Sequence, residues 1–377
     1  MWRFCWFSIL LFSNISGFSQ TLFKQETDFK YMVFSACQTS DSALWFATGD
    51  GYGLGNIILK KGNTTKIFSV DDGLPEATYQ KIVVASDGSI WAGGFSPQAS
   101  NTIVVANYRL SKWRAWSVKN FSALPMVNKL CELPSGEMWI ATFNGILEQS
   151  DTTFKYIGTE EGLPDIRIND VLVDKHHRVW VATESGIFQF LDGHFIGFDD
   201  TNVIPSATVL CEDSRSFIWA GSKFGNEGIS VFDGFRWHTY TMNDGLVDNC
   251  VGTIIEDYLN RMWFGGYFDS QSGGVTLLSN GQFQNYEFPL LGKYSVDCMF
   301  ADRSGGIWFG GSLKEKSRLG LSYYRLGKWH RFGQKDGLSN DRVFFIFEDY
   351  EGQIWVSTIN GLFVGSLSII IKTLEQH

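Results

Sequence analysis

The sequence predicts an all-β fold, a β-propeller of four-stranded antiparallel blades. Eight blades are expected, with seven as the alternative if the first or last unit is not a true blade. Three observations lead there. Trp45, Trp91, Trp139, Trp180, Trp219, Trp263, Trp308 and Trp355 recur at steps of 46, 48, 41, 39, 44, 45 and 47 residues. Each follows a turn and an apolar residue and precedes a small one, as in Gly306-Ile-Trp-Phe-Gly-Gly. Gly73, Gly162, Gly245 and Gly337, each inside an Asp/Glu-Gly-Leu turn, all precede the next tryptophan by 18 residues. Constant spacing across a loop, a strand and a turn requires the same geometry in each unit.

The elements follow in chain order. Residues 1–19 read as a secretory signal: Arg3 is the first charge, Phe4 to Phe12 is mostly apolar, and Gly17 and Ser19 sit at -3 and -1 of a cut before Gln20. The run is too short to span a membrane. Residues 20–377 are then a single propeller domain, soluble and exported to the periplasm or beyond. Within a unit such as the last, Val343-Phe-Phe-Ile-Phe is an apolar strand and Asp349-Tyr-Glu-Gly a turn. Gln353-Ile-Trp-Val-Ser-Thr is a second strand, Asn360-Gly a turn and Leu362-Phe-Val a third strand. Phe154-Lys-Tyr-Ile and Trp237-His-Thr-Tyr show the fourth. Two segments compete to close the last blade: Thr21-Leu-Phe-Lys and Ser368-Ile-Ile-Ile-Lys.

Composition narrows the partners. The chain holds 31 basic and 40 acidic residues, a net charge of -9, which argues against nucleic acid. Cys37, Cys131 and Cys211 share one column, eight residues before the unit's tryptophan. Equivalent positions in alternate blades are too far apart to pair, so buried thiols are expected rather than disulfides. No spacing suits zinc, and no nucleophile elbow, P-loop or dinucleotide motif is present. Neither a metal nor a cofactor is expected.

The unit can be written D-G-L-P, then V/I, I, D and G at fixed offsets, then I-W. Asp71-Asp-Gly-Leu-Pro with Ser86-Asp-Gly-Ser-Ile-Trp91 carries it, as does Asp336-Gly-Leu-Ser-Asn-Asp-Arg-Val with Glu348-Asp-Tyr-Glu-Gly-Gln-Ile-Trp355. It resembles the two-component regulator propeller repeat of extracytoplasmic sensor regions, over about Tyr31 to Phe363. The resemblance implies a sensor-type domain outside the cytoplasmic membrane. Signalling members of that family continue into a kinase, and this sequence carries none, so a sensor role implies a separate signalling protein.

Candidate binding residues lie on loops. In propellers the loops entering the innermost strand share a face with those between second and third strands. The latter vary in length here and carry Tyr52, Phe95, Phe143, Tyr267 and Phe268, with Lys223, Asp269, Lys314 and Arg318 as charges. Rings beside hydrogen-bonding groups suit carbohydrate; the competing expectation is that the rings cover their own loops. Thirteen residues before the tryptophan stand Thr78, Arg167, Cys250 and Arg342; eleven before stand Gln80, Asn128, Asn169 and Asp297. Arg167 and Arg342 are candidates for gripping an anion, but bridging of neighbouring blades through loop carbonyls is the favoured reading. His194, His238 and His330 fall on or beside outer strands, and His176 and His177 in a turn. Propeller lyases share this shape but use channel-mouth histidines, so no catalytic residue is assigned. The expected function is a non-enzymatic propeller binding a glycan or other small molecule at the loop face. A protein-interaction platform is the alternative, and a lyase or hydrolase comes third.

Overall fold

A computed structural model describes residues 21–96, 102–119, 126–150, 153–164, 167–198, 200–267, 273–286, 294–313, 321–339 and 342–376. The expected signal segment lies outside them. Eight four-stranded antiparallel sheets are present, which decides for eight blades over seven. Blades one to seven take residues 32–68, 78–118, 127–157, 168–197, 209–240, 251–286 and 294–332. Blade eight takes residues 343–366 and one strand from the N-terminus, Lys24–Glu26. The first strand of each blade contacts that of the next, and blade eight contacts blade one, so these strands ring a central channel.

Lys24, Gln25 and Glu26 pair with Val364, Phe363 and Leu362, so the N-terminal segment closes the ring. Phe23 precedes this strand and is buried against Trp308 and Phe332. The competing segment belongs to an α-helix, Leu367–Leu374. Its apolar residues explain why: Leu367 and Ile370 are buried, and Ile371 and Leu374 pack on the same core. That is a helical face, not the alternation of a strand.

An antiparallel sheet apolar on both faces needs cover on both sides. Blade faces bury against each other in eight separate apolar clusters, one per blade boundary. The repeating tryptophans are all buried. Several stack on an aromatic residue of their own fourth strand: Trp45 on Phe68, Trp91 on Trp116 and Trp263 on Tyr286.

The Asp/Glu-Gly-Leu turns are single 3-10 turns ended by Gly73, Gly162, Gly245 and Gly337 at φ 92°, 101°, 118° and 94°, where a side chain would be strained. The acid beside each glycine accepts the amide opening the turn: Ser69 to Asp72, Gly158 to Glu161, Thr241 to Asp244 and Gly333 to Asp336. On the face opposite the rim, glutamates of the first strands reach back one blade. Glu132, Glu212, Glu256 and Glu348 accept amides from Ser86, Lys175, Ser214 and Arg303. Gln38 does the same across the seam, accepting the Tyr350 amide at 2.7 Å.

Candidate functional site

The first strand runs from the rim inward, and its alternation is interrupted. In seven blades the pairing shifts by one residue near its start, as between Tyr79 and Lys81, Ile168 and Asp170, and Val296 and Cys298. A bulge aims two successive side chains away from the blade interfaces. The extra residue is the one eleven before each tryptophan. Gln80 Oε1 accepts the Val127 amide at 2.9 Å, Asn128 Nδ2 donates to the Ile168 carbonyl at 2.7 Å, and Asn169 Nδ2 donates to the Ala207 carbonyl at 2.8 Å. Asn169, expected as a ligand contact, therefore ties blade four to blade five.

Three of the expected residues meet at the rim: Lys223, Tyr267 and Arg342, on blades five, six and eight. The Lys223 ammonium lies 5.3 Å from the centre of the Tyr267 ring, and Phe224 meets the same ring edge-on at 5.7 Å. Arg342 donates Nε to Asp297 Oδ2 of blade seven at 2.7 Å. Burial works against the Arg342 charge, but Asp297 and the Tyr267 hydroxyl raise its pKa further. Burial pushes the Lys223 ammonium down and Arg342 adds to this, while Asp297 and Asp170 pull it up. Phe224 is 67 % exposed. The sequence reading missed it, although it follows Lys223 directly in a variable loop.

The remaining candidates are dispersed. Arg167 pairs with Glu184 at 2.9 Å in its own blade, whereas the Asp297 partner of Arg342 lies across a blade boundary. Tyr52 stands 82 % exposed on a loop braced by Asp50, which accepts the Tyr52 and Leu54 amides. Phe95 and Phe143 are half-buried at equivalent places in blades two and three. Phe268, Asp269, Lys314 and Arg318 lie outside the described residues.

Deeper in the channel is a charged level the sequence reading passed over. Lys81, Lys129 and Asp170 stand ten residues before their tryptophans in blades two, three and four. All three are half-buried. Lys129 Nζ lies 3.1 Å from Asp170 Oδ1, and Asp170 raises its pKa against the effect of burial. Asp170 also accepts the Leu210 amide through Oδ2 at 3.0 Å. Recurrence of lysine at one offset in adjacent units was the available signal.

His194, His238 and His330 lie on outermost strands, and His176 and His177 in a turn of blade four, as expected. All five described cysteines are free. Burial pushes the Cys37 thiol up to about 12, and burial aided by nearby acids, Glu256 first, does the same for Cys211. Among the described residues no helix is long and apolar enough to cross a membrane.

Comparison with known proteins supports the sequence resemblance. The two component regulator propeller model matches residues 337–360, the Gly337 turn and first two strands of blade eight. No curated protein matches the sequence. Among solved structures, virginiamycin B lyase from Staphylococcus aureus is 13% identical at a TM-score of 0.54, covering 92% of this chain and 98% of its own. The extracellular domain of a putative hybrid two component system from B. thetaiotaomicron is 16% identical at 0.50, covering 90% and 52%. PorZ, a surface component of the type-IX secretion system of Porphyromonas gingivalis, is 13% identical at 0.53, covering 89% and 52%. The chain spans about half the length of these last two proteins. Such identities establish a shared fold.

Proposed function

We propose that the protein is an exported, non-enzymatic propeller that binds a glycan or other small molecule at its rim, as a sensor-type domain. The observation that carries this reading is the meeting of Lys223, Tyr267, Asp297 and Arg342 from blades five to eight, beside exposed Phe224. Ring faces beside charged donors and acceptors match a sugar, whose apolar faces stack and whose hydroxyls need partners. The repeat match and the extracellular-domain neighbour agree with it.

Thermal unfolding against a panel of oligosaccharides tests the reading. A ligand at a hundred times its Kd adds about 2.7 kcal/mol, enough to raise the Tm by about a degree or more. The shift should disappear in Tyr267→Ala and Phe224→Ala; a shift indifferent to both would sink this site. A panel without any shift would favour a protein partner, for which the exposed Tyr52 and Phe224 rings are suited anchors.

A further inference from the structure

The channel beneath the rim does not share the acidity of the molecule. The chain carries a net charge of -9, yet the facing side chains of the upper channel are mostly basic. Lys81, Lys129, Lys223 and Arg342 stand against two carboxylates, Asp170 and Asp297. Those carboxylates are taken by Lys129 at 3.1 Å and Arg342 at 2.7 Å. Lys81 and Lys223 feel Asp170, and Lys223 also Asp297, but among the described residues neither forms an ion pair with them. Among the described residues the Lys81 ammonium forms neither a hydrogen bond nor an ion pair, and Lys223 Nζ meets only the Tyr267 ring. The glutamates of the first strands stand at the far end, on the face opposite, where each accepts a backbone amide of the preceding blade.

We propose that this level of the channel binds an anionic group, a carboxylate, phosphate or sulfate, which Lys81 takes up together with Lys129 and Lys223. The inference rests on the rim-binding reading and names the class of its ligand: an acidic sugar or small acid whose charge enters the channel while its body lies against Tyr267 and Phe224. Lys81 and Lys129 occupy one column of adjacent bulged strands, so their ammoniums reach the channel from neighbouring places. A narrow cleft lined by one sign of charge focuses its field and gathers counter-ions. Burial, then Lys129 and Lys223, depress the pKa of Lys81, with Asp170 opposing. A bound anion relieves that penalty, so binding should draw in protons at alkaline pH.

Titration calorimetry with trigalacturonate, sialyllactose and inorganic pyrophosphate, against neutral galactotriose and lactose, tests this on the wild type, Lys81→Met, Lys81→Arg and the surface control Lys335→Met. The expected result is binding of at least one acidic probe, about tenfold weaker in Lys81→Met. Lys81→Arg should recover most of it, Lys335→Met should match the wild type, and added salt should weaken it. Pyrophosphate binding alone would assign the site to a free anion rather than a sugar acid and still support the channel. Acidic probes binding Lys81→Met as tightly as wild type would overturn the proposal. Neutral and acidic sugars binding alike would overturn it and leave the rim reading standing; no probe binding would sink both.

Discussion

The Trp-to-Asp bond is the residue-scale unit of this fold. Trp180, Trp219, Trp263, Trp308 and Trp355 donate Nε1 to the aspartate six residues earlier: Asp174, Asp213, Asp257, Asp302 and Asp349. The same carboxylates take turn amides, as Asp302 Oδ1 does from Ser304 and Gly306. One side chain thereby fixes both the turn and the blade core. Asp302→Ala would strand a buried indole N–H and two amides, and should cost about 3 kcal/mol in denaturant unfolding. Acid should act at the same place. Burial would raise the Asp174 carboxyl, but the bonds from Trp180 and Arg178 outweigh it and hold it below its ordinary value of 3.8. A depressed carboxyl contributes stability above its unfolded pKa and loses it as pH falls through the folded one. The Tm difference between wild type and Asp174→Asn should therefore be constant at neutral pH and shrink below about pH 4. Blade one has Thr39 in this column, and Trp45 Nε1 is buried without a hydrogen-bond acceptor among the described residues.

At the scale of elements, legibility followed register. Strands Gln353–Thr358 and Trp237–Tyr240 coincide with their sequence runs, because apolar alternation between turn residues defines them locally. The bulge did not show. It adds a residue without altering composition, yet it decides that Asn169 ties blades together while Asp170 and Lys129 meet in the channel. Closure stayed open in the sequence because both terminal segments are apolar, and the i, i+3, i+4, i+7 spacing that marks the helix emerges only when Leu367, Ile370, Ile371 and Leu374 are read together. Phe23 is the anchor of the winning strand. Phe23→Ala should lower stability by about 3–5 kcal/mol, and coincident loss of blade eight by hydrogen exchange would tie the effect to the seam.

For the whole molecule, eight apolar clusters alternate with eight sheets and no cluster dominates. Stability is distributed around the ring, and no covalent cross-link between the described cysteines contributes. Melting with and without a reductant should give the same Tm; a drop on reduction would contradict the free thiols. The repeat made the architecture readable because eight units report the same geometry. The rim was only partly readable. Lys223 and Tyr267 each stand four residues after their tryptophan in adjacent units, but nothing in the spacing sets Arg342 of blade eight beside them.

The strand that seals blade eight also sets an order of events. Lys24–Glu26 leave the ribosome before the other described strands, yet their partners at Leu362 to Val364 belong to the last of the eight blades to be made. A solenoid can accumulate repeats as they emerge, but this chain must hold its leading strand unpaired until its trailing blade exists. Interruption of synthesis anywhere before blade eight leaves an open arc with two bare blade faces, so the ring closes only once its eighth blade exists.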